Sequence, residues 1–162
     1  RFIHMSRKKY MLNQCLNKTV LKNNHIANKK YTGMDTIVKQ TIIVIGSGAR
    51  EHAWAKTLMR TNPTPATVQR KVYVCPGNSG MREEGRIELL KIDALSDKFV
   101  QFCKALSVDL VVVGPEQFLM SGVVDRLSTA GIVCFGPERA AAKIEGSKLF
   151  CKDIFQISGN KI

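Results

Sequence analysis

Residues 46–52 read Gly-Ser-Gly-Ala-Arg-Glu-His. Two glycines one residue apart let a ligand approach the backbone, and a helix that starts directly afterwards adds the positive end of its dipole. Together they make an anion site that needs no special side chain. Arg50 supplies a fixed cation whose planar fork matches phosphate oxygens. Glu51 suits a ligand that carries hydroxyls or an amine. The plainer alternative for Arg50 and Glu51 is a solvated, dipole-compatible helix start. For His52, packing or a hydrogen bond is the simpler role than chemistry.

The pattern is not that of a dinucleotide site. The fingerprint G-x-G-x-x-G wants a third glycine where this chain has Glu51. It also wants an acid at the end of the second strand, where this chain has Cys75-Pro76. A GxxxxGK[ST] loop is likewise absent from the sequence. A lone phosphate fits better than a pyrophosphate.

The loop must be positioned by the elements around it. Ile42 to Ile45 is a short run of β-branched residues, as a buried parallel strand should be. Residues 49–60 follow as a helix, with Ala53, Trp54, Leu58 and Thr57 predicted on its buried face. "NPTP", 62–65, closes that helix. "KVYVCPGN", 71–78, is a second strand and "RIELLKID", 86–93, a third, less buried one. Ser96 caps a helix running to about Leu106. "DLVVVGPE", 109–116, is a fully apolar strand, followed by one helix from about Leu119 to Ala130 that Gly131 stops. "IVCFGP", 132–137, is a fifth strand. A short helical piece over 138–144 and a last helix over about 147–156 complete the chain.

Strands alternating with helices predict an α/β fold, a doubly wound parallel five-stranded sheet. Gly46, Gly77, Gly114 and Gly136 each stand at the carboxyl end of a strand. In an open parallel sheet those ends line one edge, where ligands bind. Glycines also serve simply as tight-turn residues, but four in this arrangement favour a shared site.

Charge and cysteines bound the function further. The chain has 162 residues and a net charge of +12. Residues 1–33 carry eight basic residues and no acid; without them residues 34–162 carry +4. The body is therefore an ordinary, mildly basic domain, with neither nucleic acid nor membrane expected as a partner. Three readings compete for residues 1–33: a basic disordered arm, a mitochondrial presequence, or a non-native extension ahead of a start at Met34. Five dispersed cysteines without a CxxC fit a reducing compartment, and no metal site is readable.

Four stretches, "VIGSGAREHAWAKTL", "VYVCPGNSG", "DLVVVGPE" and "CFGPERAAAKIEGSKLFCKD", in this order and spacing resemble the amino-terminal domain of the phosphoribosylamine–glycine ligase family. The resemblance covers about residues 41–153. It implies a Rossmann-like (pre-ATP-grasp) domain, residues 34–162, of a cytoplasmic ATP-grasp ligase of purine synthesis. Such a ligase joins glycine to 5-phosphoribosylamine, using ATP and Mg²⁺ through a glycyl phosphate, and is often part of a multifunctional chain.

By the same resemblance, Gly46, Ser47, Gly48, Arg50 and Glu51 form the first substrate loop. Pro76, Gly77 and Asn78 form the second, and Gly114, Pro115 and Glu116 the third. Lys148 is the nucleotide-contacting lysine. No catalytic residue and no metal ligand is expected in this stretch, and neither ATP nor Mg²⁺ is expected to bind it tightly. The sequence departs from the family at Ala49, where a second glycine is usual, and at Phe118-Leu119, where Pro-Leu is common. It also departs in the altered segment after Gly80. The family pattern runs to "SKLFCKDIF", so the expectation is a ligase truncated before its ATP-grasp domain. The alternatives are a non-catalytic α/β module for a phosphosugar or partner, and the matching domain of another ATP-grasp enzyme.

Overall fold

The computed structural model describes residues 38–60, 68–83, 85 and 87–157. The expectations for residues 1–33 and for the "NPTP" stop lie outside the described residues. Five strands form one all-parallel sheet in the order β3-β2-β1-β4-β5. They are β1 (Val38–Gly46), β2 (Val68–Pro76), β3 (Ile87–Leu89), β4 (Leu110–Val113) and β5 (Cys134–Phe135). The described helices are α1 (Ala49–Arg60), α2 (Ser79–Glu83), α3 (Asp97–Ala105), α4 (Glu116–Met120), α5 (Val123–Thr129), α6 (Arg139–Gly146) and α7 (Lys148–Ile157).

Alternation along the strands divides the core in two. Ile42, Val44, Val72, Val74, Leu110 and Val112 face one way and bury Ala55 and Leu58 of α1 and Met81 of α2. Ile43, Ile45, Tyr73, Cys75, Val111 and Val113 face the other way, against Phe99 and Cys103 of α3, Leu119 of α4, Val123, Val124 and Leu127 of α5, and Ala142 of α6. Helices on both faces make the sheet doubly wound, as the repeating strand–helix pattern predicts. Each fully buried Ile, Leu or Phe contributes on the order of 1.5–3 kcal/mol, so this two-sided core holds the sheet edge rigid.

The cap expected at Ser96 is present: its Oγ accepts from Phe99 N at 3.3 Å. Gly131 ends α5 with φ +81°. Other expectations are corrected. The single helix over 119–130 is two, α4 and α5, because Gly122 adopts φ +78° and turns the chain between them. The short α2 after Asn78 was not expected, and the third strand is only three residues long. On α1 the buried residues are Glu51, Ala55 and Leu58; Ala53 is exposed and Trp54 half-buried. The helix is rotated relative to its most apolar face because Glu51 has polar partners inside.

Candidate substrate crevice at the sheet edge

From β1 the chain builds outward through β2 and β3, then returns to lay β4 on the other side of β1. The crevice beyond β1 and β4 is therefore the switch point at which such sheets bind ligands. Three loops meet there and are stitched together by hydrogen bonds. Gly77 N donates to Gly46 O at 3.2 Å, and Gly114 N donates to Ile45 O at 3.1 Å. The Asn78 side chain joins the second loop to the first, its Nδ2 donating to Ser47 O at 2.7 Å, while its Oδ1 accepts from Met81 N at 3.1 Å and starts α2. The Cys75–Pro76 peptide at the mouth is cis.

Glu51 is the centre of the first loop. It is 3% exposed. Its Oε2 accepts from Gly48 N at 2.9 Å and its Oε1 from Arg50 Nε at 2.9 Å. The bond to Gly48 is the reciprocal half of a capping box, with Glu at the third helical position satisfying the cap N–H. The side chain fits because the residues around it lack a β-carbon. One added at Gly46 would lie 2.5 Å from Glu51 Cγ, and one at Gly48 2.9 Å from Oε2. Gly46 also has φ +134°, open to glycine and hardly to other residues. The Gly48 N–H that a dinucleotide fold turns toward pyrophosphate is here occupied from within.

Arg50 reaches across the switch point. Its Nη2 donates to Gly114 O, and its guanidinium lies 5.5 Å from the centroid of the Trp54 ring. The Arg50 side chain remains 44% exposed against 4% for Glu51. The first-turn N–H groups of Ala49 and Arg50 have no acceptor inside a helix that starts here.

The structure thus brings together Gly46, Ser47, Gly48, Arg50, Glu51, Gly77, Asn78 and Gly114. Pro76 is exposed at the rim, Pro115 opens α4, and Glu116 is exposed on its first turn. Lys148 stands elsewhere: it is exposed at the start of α7, just after Gly146, whose backbone packs on Met120. Sequence reasoning missed the burial of Glu51 and the reach of Arg50 to Gly114. The available signal was the coincidence of a charged residue with glycines at three nearby turns. Among the described residues no helix is long and apolar enough to cross a membrane.

A doubly wound α/β domain with an all-parallel five-stranded sheet and glycine turns at its switch point is of the Rossmann-like class. More narrowly, the chain belongs to the phosphoribosylglycinamide synthetase N-domain family, whose model matches residues 40–145. It is 46% identical over 119 residues to the phosphoribosylamine–glycine ligase of Lactococcus lactis, covering 73% of this chain and 27% of that protein. It is 45% identical over 119 residues to the bifunctional purine biosynthetic protein purD of Dictyostelium discoideum, covering 72% and 14%. To the trifunctional purine biosynthetic protein adenosine-3 of Gallus gallus it is 40% identical over 119 residues, covering 73% and 11%. The chain spans about a quarter of the length of the single-activity ligases it matches.

Proposed function

We propose that residues 34–162 are the substrate-binding amino-terminal domain of a cytoplasmic phosphoribosylamine–glycine ligase, and that the crevice binds the 5-phosphate of phosphoribosylamine. The observation that carries this reading is Arg50. It is held across the switch point to Gly114 beside the open N–H groups of α1, an arrangement suited to one phosphate monoester. Asn78, which ties the second loop to Ser47 of the first, is assigned with that loop's backbone to the ribose hydroxyls or the amine. The work of these residues is to bind and orient the amine component; holding it in place lowers the entropic barrier to its attack on activated glycine.

ATP supplies that activation in the ligase as a whole, and Lys148 is the residue of this chain we assign to the nucleotide. The described residues contain no cluster of three or more His, Cys, Asp or Glu side chains able to hold a metal ion. On this reading the chain needs an ATP-grasp domain for turnover. In a multifunctional chain it would stand beside further purine-synthesis domains.

An NMR titration of the full chain tests the site. Ribose 5-phosphate should shift the Ala49 and Arg50 amides with millimolar affinity, about −4 kcal/mol, as expected of one arginine and one helix amino terminus at a crevice open to water. Stronger perturbation of the same amides by NAD would overturn the assignment.

A further inference from the structure

Glu51 carries a full carboxylate into the most enclosed part of the first loop, yet both its oxygens already have partners within the chain. Oε2 holds Gly48 N and Oε1 holds Arg50 Nε. Gly46, Gly48 and Gly114 wall it in so closely that a methyl on any of them would collide with it. With only 4% of the side chain exposed, it offers little surface to a ribose hydroxyl or an amine. The residue immediately before it is the exposed cation of the crevice. Arg50 is restrained at Nε by Glu51, at Nη2 by Gly114 O, and on its face by Trp54.

We propose that Glu51 is a positioning residue that never touches the substrate: it aims the Arg50 guanidinium across the crevice so that the phosphate meets a pre-oriented fork. This inference rests on the phosphosugar reading of the crevice. An arginine side chain loses much rotamer freedom when it grips a ligand. A carboxylate that already fixes Nε removes part of that loss before binding and leaves it out of the affinity. The alternative is that Glu51 merely fills space beneath three glycines. A filler needs the shape of the side chain; an aiming residue needs both oxygens as acceptors. Glu51→Gln separates the two, because the amide keeps the shape but has only one acceptor oxygen for two donors.

The test uses the full chain, with Arg50 Nε–Hε as the spectroscopic readout and ribose 5-phosphate as the probe. In the unliganded wild type the Arg50 Nε–Hε resonance should lie away from the free-arginine position; in Glu51→Gln it should return to it. Glu51→Gln should weaken ribose 5-phosphate about tenfold. In an Arg50→Ala background the same substitution should weaken it no further. A wild-type resonance at the free-arginine position overturns the proposal without any ligand. So does Glu51→Gln binding as tightly as wild type, or losing as much affinity without Arg50 as with it. Should Glu51→Gln fail to fold, Glu51→Asp, which draws the charge back by one methylene, is read by the same criteria. If wild type does not bind ribose 5-phosphate at all, the phosphosugar reading falls, while the Nε–Hε comparison still decides whether Glu51 holds Arg50.

Discussion

Gly114 sits directly on the Glu51 carboxylate: a β-carbon at Gly114 would stand 2.2 Å from Oε1 and 2.6 Å from Cγ and Cδ. A residue just past the end of β4 and a side chain on the first turn of α1 thus share one space. Gly114→Ala must push that carboxylate off Gly48 and Arg50 or move the third loop. Overpacking of this kind costs about 1–3 kcal/mol. Chemical denaturation should show the loss, and a variant as stable as wild type would mean that the carboxylate moves freely.

Two helices end in the same hydrogen-bonded turn with different residues at the left-handed position. After α3, Ser107 has φ +49°, with Ser107 N on Lys104 O and Val108 N on Cys103 O, both at 3.0 Å. After α5, Gly131 has φ +81°, with Gly131 N on Ser128 O and Ile132 N on Leu127 O, both at 2.9 Å. A β-carbon at Gly131 meets nothing within 4 Å, so only the backbone conformation resists it. Ser107→Gly should therefore stabilise and Gly131→Ala destabilise, each by about 1 kcal/mol. Thermal melts of the two variants, moving in opposite directions, check the pair.

Arg70 joins three elements from the far end of the sheet. Its Nη1 donates at 2.7 Å to Leu58 O, one of the last carbonyls of α1, and its Nε at 2.7 Å to Oε1 of buried Gln40. Burial lowers the Arg70 pKa from its usual value, so desolvation opposes the charge that these acceptors draw in. Arg70→Met keeps much of the apolar stem and strips both donors from buried acceptors. The expected cost is about 1–3 kcal/mol in urea unfolding, with the site's loops unchanged in the amide spectrum.

Burial pushes the Cys75 and Cys103 thiols up to about 11 from an ordinary 9.0. Between those values the native state keeps protons that the unfolded state has lost. These thiols therefore leave stability unaffected below pH 9 and reduce it as pH rises toward 11. The thermal midpoint should fall more steeply across that window in wild type than in a Cys75→Ala/Cys103→Ala variant. Equal slopes would show that the thiols are not responsible.

The fold was largely legible because each face of the sheet is written in alternation. Ile42 and Val44 pack one way, Ile43 and Ile45 the other, and local cues such as Ser96 and Gly131 mark real helix ends. Gly122 was harder to read. A glycine inside an apolar helical pattern is also compatible with one continuous helix, and only its left-handed conformation divides α4 from α5. The glycine loops of the crevice could be placed from the sequence, since strand ends in a parallel sheet share an edge. The bonds between them could not. Hydrophobic pattern assigns a glutamate to the outside, whereas Glu51 lies inside because its neighbours across the sheet edge are glycines, a relation between residues distant in the chain.

That distance also matters while the protein is being made. Arg50 and Gly114 are 64 residues apart, and β4 pairs with β1 only after β2 and β3 have been laid down. At about 5–20 residues per second, the ribosome releases the third loop roughly 3–13 s after the first. Until then Ile42 to Ile45 lack the β4 partner on one edge, the condition in which a nascent apolar strand recruits foreign strands. Ribosome-arrested chains stalled with β4 still inside the exit tunnel should be cut by protease within β1, and chains stalled after β4 has emerged should resist. The switch point that gives the crevice its place in the sheet is thus also a seam that the growing chain closes late, with only the β4–β5 pairing after it.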